Sequence, residues 1–498
     1  MQEVLQEQAA VSTLLGMPEE WDHEADVIVV GLGGAGAAAA IEAHDTGADV
    51  LILEKMSIPG GCTKISQGAV YCGGSSLQKE LGIDDSPDEV YKFYMAVANF
   101  EGELRADPDL VKIAAFQGPE TFEWCKGLGI HFPANVRPTP PFFHTSLPGL
   151  SMISNERYPE FASAVKAPTY RTHWCDGSGV AFFDALETAI TKRGINHIYE
   201  ASVRSLIADS RRVVRGIIAS HRGRDIYIKA KKAVILTTGG HGYNKSLVKG
   251  LPASTAAIES PEKQIPYSNT GDGNIMALAL GADYWYNDGA VALPFFGTTN
   301  QHMNLSYQFP RIFVNKHGKR YVSEDWYFAM QAVYLARQPD MIGWAIIDDK
   351  GATLFGKDTM AEGVRKGKVI QAESIGDLAK AIGVDNKGLQ ETITKWNNDV
   401  AKGSDPEWNR EWELKPLDTA TFYATRVNFA EGNESTGVKI NTKSQVIATN
   451  GQVIPGLYAA GRTSGGQFGL YPGCGTSIMT SLIFGRIAGK NAATEISR

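Results

Sequence analysis

Short apolar runs that lead into glycine recur along the chain and organise its predicted fold. The clearest runs are residues 27–30, 233–236 and 454–460. Continuous apolar runs of this length are typical of strands that are buried on both faces of a parallel sheet. Because the carboxyl ends of parallel strands meet at one edge, the pattern predicts an α/β fold of the Rossmann type. Three glycine turns should converge on one site at that edge.

Apolar positions spaced three and four apart predict helices between these strands. Ser86 followed by Pro87 has the composition of a helix start, and helical spacing continues from there to Gly129. Further helices are predicted at residues 179–194, 374–381, 386–401 and 477–493, with one more starting near Asp272. The segments 55–68 and 133–170 are rich in glycine or proline, and we expect irregular loops there.

The character of the sequence changes twice, which divides the predicted fold into parts. Residues 282–434 contain mixed strands, many aromatic side chains and two amphipathic helices, unlike the glycine-punctuated segments on either side. We expect an inserted second domain here, in an α+β arrangement overall. The dinucleotide-binding domain would then consist of residues 21–281 and 435–498, preceded by an N-terminal tail at residues 1–20.

The first strand leads into a dinucleotide-binding fingerprint. Gly31, Gly33 and Gly36 have GxGxxG spacing and are followed by an alanine-rich helix start. Such glycines permit a tight turn and a close approach of pyrophosphate, and the helix N-terminus offers free N–H groups to the phosphates. Glu54 ends the next apolar run, about 20 residues on, where an acid can hold a ribose hydroxyl. The register of these features predicts an adenine dinucleotide site.

Composition narrows the class of protein further. The chain has 498 residues, 43% of them hydrophobic, and a net charge of −7, which gives no basic surface for nucleic acid. It has no apolar run of about 18 residues, so we expect no membrane span. Five scattered cysteines without CxxC spacing argue against a disulfide framework and a metal site. The N-terminus lacks a secretion signal, and a cytoplasmic location is expected.

Several motifs together resemble the fumarate reductase / 3-ketosteroid dehydrogenase superfamily of flavoproteins. They are the Gly31 fingerprint with Glu54, Gly60–Gly61, residues 237–240, residues 270–273, and residues 459–461 with 475–477. The resemblance implies FAD as the cofactor, and it implies that the inserted domain at residues 282–434 is a capping and catalytic domain. The residues implied to bind it are Gly31, Gly33, Gly34, Ala35, Gly36, Glu54, Lys55, Gly60, Gly61, Cys62, Thr63, Ser66, Gly68, Val203, Thr238, Gly239, Gly240, Asp272, Gly461, Arg462, Gly475, Ser477 and Ile478.

The C-terminal loop distinguishes between branches of that superfamily. Fumarate-type reductases resemble Gly-Gly-x-His-Gly-x-x-Arg at this loop, whereas here Phe468 and Pro472 occupy the positions of the histidine and the arginine. A dicarboxylate would have neither a charge partner nor a proton donor in this loop, so the loop does not fit a fumarate-type reductase. Arg462 stands where many members carry an acid, and the ketosteroid branch tolerates this arginine.

The same loop is similar to the Tyr-Pro-Gly-x-Gly loop of 3-ketosteroid Δ1-dehydrogenases. It contains Tyr471, Cys474 and Gly475. In that subfamily the tyrosine hydroxyl and the last glycine's N–H hydrogen-bond the C3 carbonyl, which implies these roles for Tyr471 and Gly475. Two neutral donors aimed at one oxygen stabilise a developing enolate, and they suit a neutral, apolar substrate.

A second run points to a different ketosteroid subfamily. Residues 320–327 resemble the R-Y-V-x-E-D-x-Y run of 3-ketosteroid Δ4-(5α)-dehydrogenases, which implies that Tyr327 assists proton removal. Cys474 fills the slot of that subfamily's proton-accepting serine, and it is either a base or a small filler. Tyr321 is expected to be packing. The two loops together favour the Δ4 bond and leave Δ1 open.

The expected activity is FAD-dependent desaturation of a 3-keto steroid or a similar flat ketone, with hydride transfer to flavin N5. Tyr471 and Gly475 would polarise the carbonyl, and Tyr327, directly or through Cys474, would remove the α-proton. Phe295, Phe296 and Trp326 are candidates for an apolar pocket wall, although core packing is the more common role for any single one of them. The alternatives are a reductase of a conjugated enone or unsaturated acid, and a non-catalytic electron-relay flavoprotein. A separate electron acceptor or donor is expected, because the chain has no CxxCH haem motif.

Overall fold

The computed structural model describes residues 13–137, 148–166, 169–248, 250–260, 265–294, 310–430 and 436–496. Within these ranges the chain is a mixed α/β protein, as the sequence predicts, with its strands arranged in four sheets. Among the described residues, no helix is both long and apolar enough to cross a membrane.

A nine-stranded sheet forms the centre of the structure. Its central strand, Arg224–Leu236, pairs in parallel with His23–Val30 on one side and, near its end, with Val453–Ala459 on the other. The three apolar runs of the sequence are therefore neighbours, and all three end at the same edge of the sheet. The remaining strands of the sheet are Thr13–Leu15, Val50–Leu53, Asn196–Ile198, Ala201–Ala208, Val214–His221 and Gln445–Ile447.

The first strand of this sheet lies inside the predicted N-terminal tail. Thr13–Leu15 pairs in parallel with Leu206–Ala208, at one end of the sheet. Its three residues are too short a run for periodicity to single out, so the prediction of a plain tail over residues 1–20 missed it. The division of the chain into domains otherwise stays a prediction.

Helices cover the faces of the large sheet. Pro87–Ala98 begins where the sequence predicts, because the Ser86 side chain accepts a hydrogen bond from the Glu89 N–H. The expectation of a purely irregular loop at residues 55–68 is wrong, because Gly61–Ile65 forms a short helix. The other helices of this part are Gly34–Asp45, Ser76–Glu80, Pro108–Phe116, Gly118–Gly127, Pro159–Ala162, Ser178–Lys192, Pro252–Glu259, Asp272–Ala279 and Thr476–Thr494, with 3-10 turns at Phe100–Gly102, Asn155–Arg157, Lys245–Val248 and Gly461–Thr463.

Two of these helices pack closely enough to fix the geometry of the site. An added Cβ at Gly485 would lie 2.5 Å from the Ala35 carbonyl oxygen, and one at Gly489 would lie 2.1 Å from that of Ala39. The helices Gly34–Asp45 and Thr476–Thr494 therefore run in the same direction. Because Gly485 lies level with the start of the first helix, the second begins about nine residues earlier, roughly 14 Å along its axis.

A five-stranded antiparallel sheet lies within the predicted capping region. Its strands are Val291–Pro294, Ile312–Val314, Gly343–Asp348, Val369–Ala372 and Phe422–Ala430, and its helices are Phe328–Ala336, Asp349–Phe355, Lys357–Arg365, Ile375–Ile382 and Asn386–Val400, with a 3-10 turn at Pro339–Met341. Tyr321 is buried in its core and stacks on Phe313, as a packing residue should.

Two smaller sheets complete the structure. Ala69–Tyr71, Thr172–Trp174 and Gly149–Ser151 form a three-stranded antiparallel sheet, with Thr172–Trp174 in the middle. Tyr284–Trp285 pairs with Gly437–Val438 at the boundary of the capping region. The three-stranded sheet lies beside the C-terminal loop, so it bears directly on the candidate site.

Candidate active site

A cavity of about 550 Å³ opens where the parallel strands end, and it brings most of the predicted site residues together. Of the residues implied to bind the cofactor, those that line it are Gly31, Gly33, Gly34, Ala35, Glu54, Lys55, Gly61, Cys62, Thr63, Ser66, Val203, Thr238, Gly239, Asp272, Gly461, Arg462, Gly475, Ser477 and Ile478. Tyr327, Tyr471 and Cys474 line the same cavity. Residues from five distant segments of the chain therefore share one site.

The glycines of the fingerprint are required by the backbone around them. Gly31 has φ +100°, and an added Cβ would lie 2.5 Å from the Thr237 carbonyl oxygen. A Cβ at Gly36 would lie 2.0 Å from the Gly31 carbonyl oxygen, so Gly36 supports the turn from behind and does not line the cavity. At Gly33 the nearest atom to a Cβ would be 3.8 Å away, which leaves the cavity side open for a ligand.

Two helix N-termini open onto this cavity. Gly33 caps the Gly34–Asp45 helix and Gly475 caps the Thr476–Thr494 helix, and neither helix has a side-chain cap or an acidic residue in its first turn. Each terminus therefore carries a partial positive charge that favours an anionic group. The Thr63 hydroxyl oxygen accepts a hydrogen bond from the Gly34 N–H at 3.1 Å. The first terminus fits a pyrophosphate, and the second lies further along the same cavity.

Glu54 lies against the fingerprint, at the point where the sequence predicts the ribose acid. Its carboxylate accepts hydrogen bonds from the Leu32 N–H at 2.8 Å and the Met56 N–H at 2.9 Å. These contacts fix the carboxylate at the rim of the cavity. An acid held there fits a ribose hydroxyl of the adenosine half of FAD.

Charged and polar side chains line the middle of the cavity. Lys55 Nζ bonds Asp272 at 2.8 Å, and this contact joins the segment after the Val50–Leu53 strand to the start of the Asp272–Ala279 helix. Cys62 Sγ accepts hydrogen bonds from Asn269 Nδ2 at 3.3 Å and from Arg462 Nη1 at 3.6 Å. Asn269 also lines the cavity, and no spacing in the sequence singles it out. The same is true of Ile265, Pro266, Ser268 and Ser481.

Three other glycines implied to bind FAD lie behind the cavity wall. Gly60, at φ +118°, is the N-cap of the short Gly61–Ile65 helix, and its N–H bonds the Leu32 carbonyl at 2.7 Å. Gly68 packs against Cys175 and Ser178, and Gly240 packs against the Arg462 guanidinium. All three shape the wall through backbone geometry and do not line the cavity themselves.

The far end of the cavity holds the residues predicted to carry out the chemistry. The Tyr327 and Tyr471 rings are stacked with their centroids 5.9 Å apart, and Phe328 stacks on Tyr471 at 6.3 Å. The Tyr471 hydroxyl oxygen lies within hydrogen-bonding range of the Ser477 and Gly475 N–H groups. Burial raises the pKa of Tyr471 well above its ordinary value, so its hydroxyl stays protonated and remains a donor.

Cys474 lies between these two tyrosines and a buried arginine. Burial raises the pKa of its thiol to about 12, while Arg137 and the nearby Tyr327 side chain oppose this shift. Ala69 and Phe328 line the cavity near it, and they form one buried apolar cluster with Ile153, Trp174, Val291, Phe468, Tyr327, Tyr471 and Cys474. A titratable pair therefore lies in otherwise apolar surroundings, as general acid–base chemistry requires.

The loop that carries Tyr471 and Cys474 is fixed by a neighbouring segment. The Asn155 Nδ2 donates to the Tyr471 carbonyl at 2.7 Å, and the Cys474 N–H donates to the Ile153 carbonyl at 2.9 Å. Thr172 Oγ1 donates to the Cys474 carbonyl at 3.0 Å. Asn155 and Ile153 lie in the stretch 133–170, which the sequence predicts to be irregular but which contains the strand Gly149–Ser151 and two short helical turns, and Thr172 belongs to the strand Thr172–Trp174.

Two predictions about the pocket wall have different outcomes. Trp326 does not line the cavity; its ring packs edge-on against Tyr158 at 4.9 Å and Trp408 at 5.7 Å, in an aromatic cluster of its own. Aromatic composition alone could not separate a cavity wall from such packing. Phe295 and Phe296 lie outside the described residues. No group of metal-ligating side chains occurs in the part of the chain that the structure describes.

Comparison with known proteins gives a consistent result. The family model described as "FAD binding domain" matches residues 26–478. The chain is 28% identical over 474 residues to the probable fumarate reductase Ifc3 of Shewanella frigidimarina, covering 94% of this chain and 74% of that protein. It is 29% identical over 500 residues to the urocanate reductase of Eggerthella lenta, covering 96% and 76%.

A solved structure resembles the chain more completely. It is the 3-ketosteroid Δ4-(5α)-dehydrogenase of Rhodococcus jostii RHA1, in complex with 4-androstene-3,17-dione. The TM-score is 0.81 at 29% identity, covering 97% of this chain and 100% of that one. The relatives thus include reductases and a steroid dehydrogenase, so similarity alone does not choose a substrate.

Proposed function

We propose that this oxidoreductase, which belongs to the FAD binding domain family and has FAD as its cofactor, desaturates a 3-keto steroid or a similar flat ketone. FAD supplies the hydride acceptor for such a reaction. The chain's own residues must then bind the ketone, hold its oxygen and remove a proton from the carbon beside the carbonyl.

The observation that carries this proposal is the position of Tyr471 beside Gly475. The hydroxyl of Tyr471 lies within hydrogen-bonding range of the Gly475 N–H, at the N-terminus of the Thr476–Thr494 helix. Both donors, together with the helix dipole, can act on one carbonyl oxygen that gains negative charge as the α-proton leaves. Losing one such donor costs about 3 kcal/mol of transition-state stabilisation.

Proton removal is assigned in this proposal to Tyr327 together with Cys474. The Tyr327 hydroxyl lies close enough to the Cys474 thiol to lower its pKa, and both side chains line the cavity. The Cα–H bond of the ketone breaks, its proton goes to this pair, and its electron pair moves toward the carbonyl oxygen that Tyr471 and Gly475 hold. The Δ4 bond is favoured over Δ1 because residues 320–327 resemble the Δ4-(5α) subfamily.

The apolar residues of the C-terminal loop support a ketone over a dicarboxylate. Phe468 is buried and packs edge-on against Tyr471 at 5.9 Å, at the position where fumarate-type reductases have a histidine. Pro472, which takes the place of their arginine, is buried in the same loop. Neither residue can neutralise a carboxylate. A flat hydrocarbon skeleton matches the surfaces of Phe328 and Tyr471 better.

A second candidate is reduction of a conjugated enone or unsaturated acid. The same residues serve both directions, because Tyr471 and Gly475 would hold the carbonyl and the Tyr327–Cys474 pair would return the proton. The similarity to a fumarate reductase and a urocanate reductase favours this candidate. A protein that only relayed electrons would not need hydroxyl donors and a titratable pair in its cavity.

The two directions are separated by assaying them side by side. The purified protein is given an oxidised redox dye with a saturated 3-keto steroid, and a reduced dye with a conjugated 3-keto steroid, fumarate or urocanate. The proposal expects dye reduction with the saturated steroid and a product with one more carbon–carbon double bond. Turnover only with fumarate or urocanate would mean that the protein reduces an unsaturated acid. Turnover with none of the substrates would favour a protein that only relays electrons. The variant Tyr321→Phe, which removes a buried hydroxyl outside the cavity, is the matched control for Tyr327→Phe.

A further inference from the structure

A buried guanidinium lies behind the proposed base. The Arg137 side chain is only 4% exposed, and its guanidinium carbon lies 4.9 Å from the centroid of the Trp174 ring. Arg137 belongs to the proline-rich stretch for which the sequence predicts no role. A cation is rarely buried unless it acts on an anionic or polarisable neighbour, so its position calls for a function.

The backbone fixes Arg137 and Cys474 to the same small sheet. The Arg137 N–H donates to the Leu150 carbonyl at 2.8 Å, and the Cys474 N–H donates to the Ile153 carbonyl, three residues further along, at 2.9 Å. The middle strand of that sheet contains Trp174 and Thr172. The Arg137 guanidinium stacks on the Trp174 ring, and the Thr172 hydroxyl donates to the Cys474 carbonyl at 3.0 Å. Trp174 is itself anchored, because its Nε1 donates to Ser151 Oγ at 2.7 Å.

The charges of the two groups act on each other. Burial lowers the pKa of Arg137 to about 10, and Cys474 opposes this shift. Burial raises the pKa of Cys474, and Arg137 opposes that shift in turn. The other titratable groups that act on Cys474 are Tyr327, which lowers the pKa of the thiol, and Tyr471, whose own pKa the thiol raises. Both tyrosines are neutral, so Arg137 is the cation that acts on the thiol among the described residues named here.

We propose that Arg137 is a positioning residue for the base: its guanidinium stabilises the thiolate of Cys474, which takes the α-proton of the ketone. In this step the Cα–H bond breaks and the S–H bond forms, and the electron pair moves to the ketone oxygen held by Tyr471 and Gly475. No further reactant is needed for the proton transfer. The inference rests on the proposed function, in which Cys474 belongs to the base. It assigns Cys474 the role of a base and not that of a small filler.

Alkylation of Cys474 tests the inference without any substrate, because only the thiolate reacts. The holoenzyme is treated with iodoacetamide over a range of pH, and the Cys474 peptide is followed by mass spectrometry. In Arg137→Met we expect the rate below the thiol pKa to fall roughly tenfold or more, since an adjacent opposite charge shifts a pKa by about 1–3 units. Arg137→Lys retains the charge and should restore most of the rate.

Two controls separate charge from access and from general damage. Arg157→Met removes another arginine stacked on a tryptophan, Trp412 at 3.7 Å, and should leave Cys474 alkylation unchanged. The alkylation rate with iodoacetate is divided by the rate with iodoacetamide, which cancels changes in access because the reagents are similar in size and differ in charge. This ratio should fall in Arg137→Met. Equal rates in wild type and Arg137→Met, or an equal fall in the Lys and Met variants, would overturn the inference. Because no ketone is present, either result stands whatever the steroid assay gives.

Discussion

The hydroxyl oxygen of Tyr471 lies within hydrogen-bonding range of the backbone N–H of Gly475, where the Thr476–Thr494 helix begins. The close packing of Gly485 on Ala35 sets this helix beside the fingerprint helix and lets it extend further along the cavity. The fold therefore presents two helix N-termini without side-chain caps to the same cavity. The Tyr471 phenol lies at the N-terminus of the Thr476–Thr494 helix.

Removing the Tyr471 hydroxyl should abolish most turnover and leave the cofactor bound. We expect kcat of Tyr471→Phe to fall by about 100- to 1000-fold, the loss typical of one oxyanion donor. Flavin content, read from the visible absorbance, should match wild type because the ring still packs on Phe328. Tyr321→Phe is the control and should keep its kcat. A Tyr471→Phe enzyme with wild-type kcat would remove the hydroxyl from the mechanism.

Glu54 should control the affinity for FAD and not the chemistry. In Glu54→Gln we expect the Kd for FAD to rise about 10- to 100-fold, because a charge-assisted hydrogen bond contributes about 1.5–3 kcal/mol. Quenching of flavin fluorescence on titration into apoprotein measures this Kd. Glu391→Gln, which changes an exposed ion pair with Lys319, should bind FAD as wild type does. At saturating FAD, kcat of Glu54→Gln should be normal; a lowered kcat would mean that Glu54 acts beyond cofactor binding.

The fingerprint should not tolerate a methyl group at Gly36. The added Cβ of Gly36→Ala would lie 2.0 Å from the Gly31 carbonyl oxygen, so the turn must open. We expect the purified variant to lack FAD or to melt at a clearly lower temperature. Gly127→Ala is the matched control, because Gly127 is also helical and has nothing within 4 Å of an added Cβ. It should gain up to about 1 kcal/mol from the loss of glycine flexibility. Equal behaviour of the two variants would contradict the packing described here.

A buried ion pair in the capping region should make stability depend on pH. Arg320 Nη2 lies 2.6 Å from Glu324 Oε2 and 2.9 Å from Asp405 Oδ2. Burial by itself would raise the pKa of Glu324, but Arg320 and Arg410 outweigh it and hold the pKa below its ordinary value. The stabilising contribution is therefore complete above the unfolded pKa of about 4.3, and it is lost as pH falls through the lower folded value.

The matching variant is Glu324→Gln, which leaves Arg320 buried beside one carboxylate fewer. We expect a loss of about 3–5 kcal/mol at neutral pH, seen as a lower melting temperature. The gap from wild type should narrow in acid, because wild type then loses the same contribution. Glu391→Gln should change the melting temperature little, since exposed pairs contribute about 0–1 kcal/mol. A gap that stays constant into acid would show that the loss at neutral pH is not electrostatic.

Local signals in the sequence predict the cofactor half of the site well. The run 27–30, its glycines and Glu54 specify a strand, a turn and an acid through interactions within a short stretch, and the structure brings them together. The cap at Ser86 is equally local. Arg137 could not be predicted, because its place beside Trp174 and Cys474 depends on pairing between segments far apart in the chain. For Trp326 the sequence leaves a cavity wall and core packing open, since only the fold separates the two, and the structure shows packing in an aromatic cluster.

The central claim is that Tyr471 and its loop make this protein a ketone dehydrogenase. The most direct test is anaerobic: the purified yellow protein is mixed with a saturated 3-keto steroid, and the visible absorbance of the oxidised flavin is followed. The account predicts bleaching in wild type and in Tyr321→Phe, and loss of bleaching in Tyr471→Phe. No bleaching with any saturated ketone, together with reoxidation of the dithionite-reduced protein by an enone or an unsaturated acid, would contradict it.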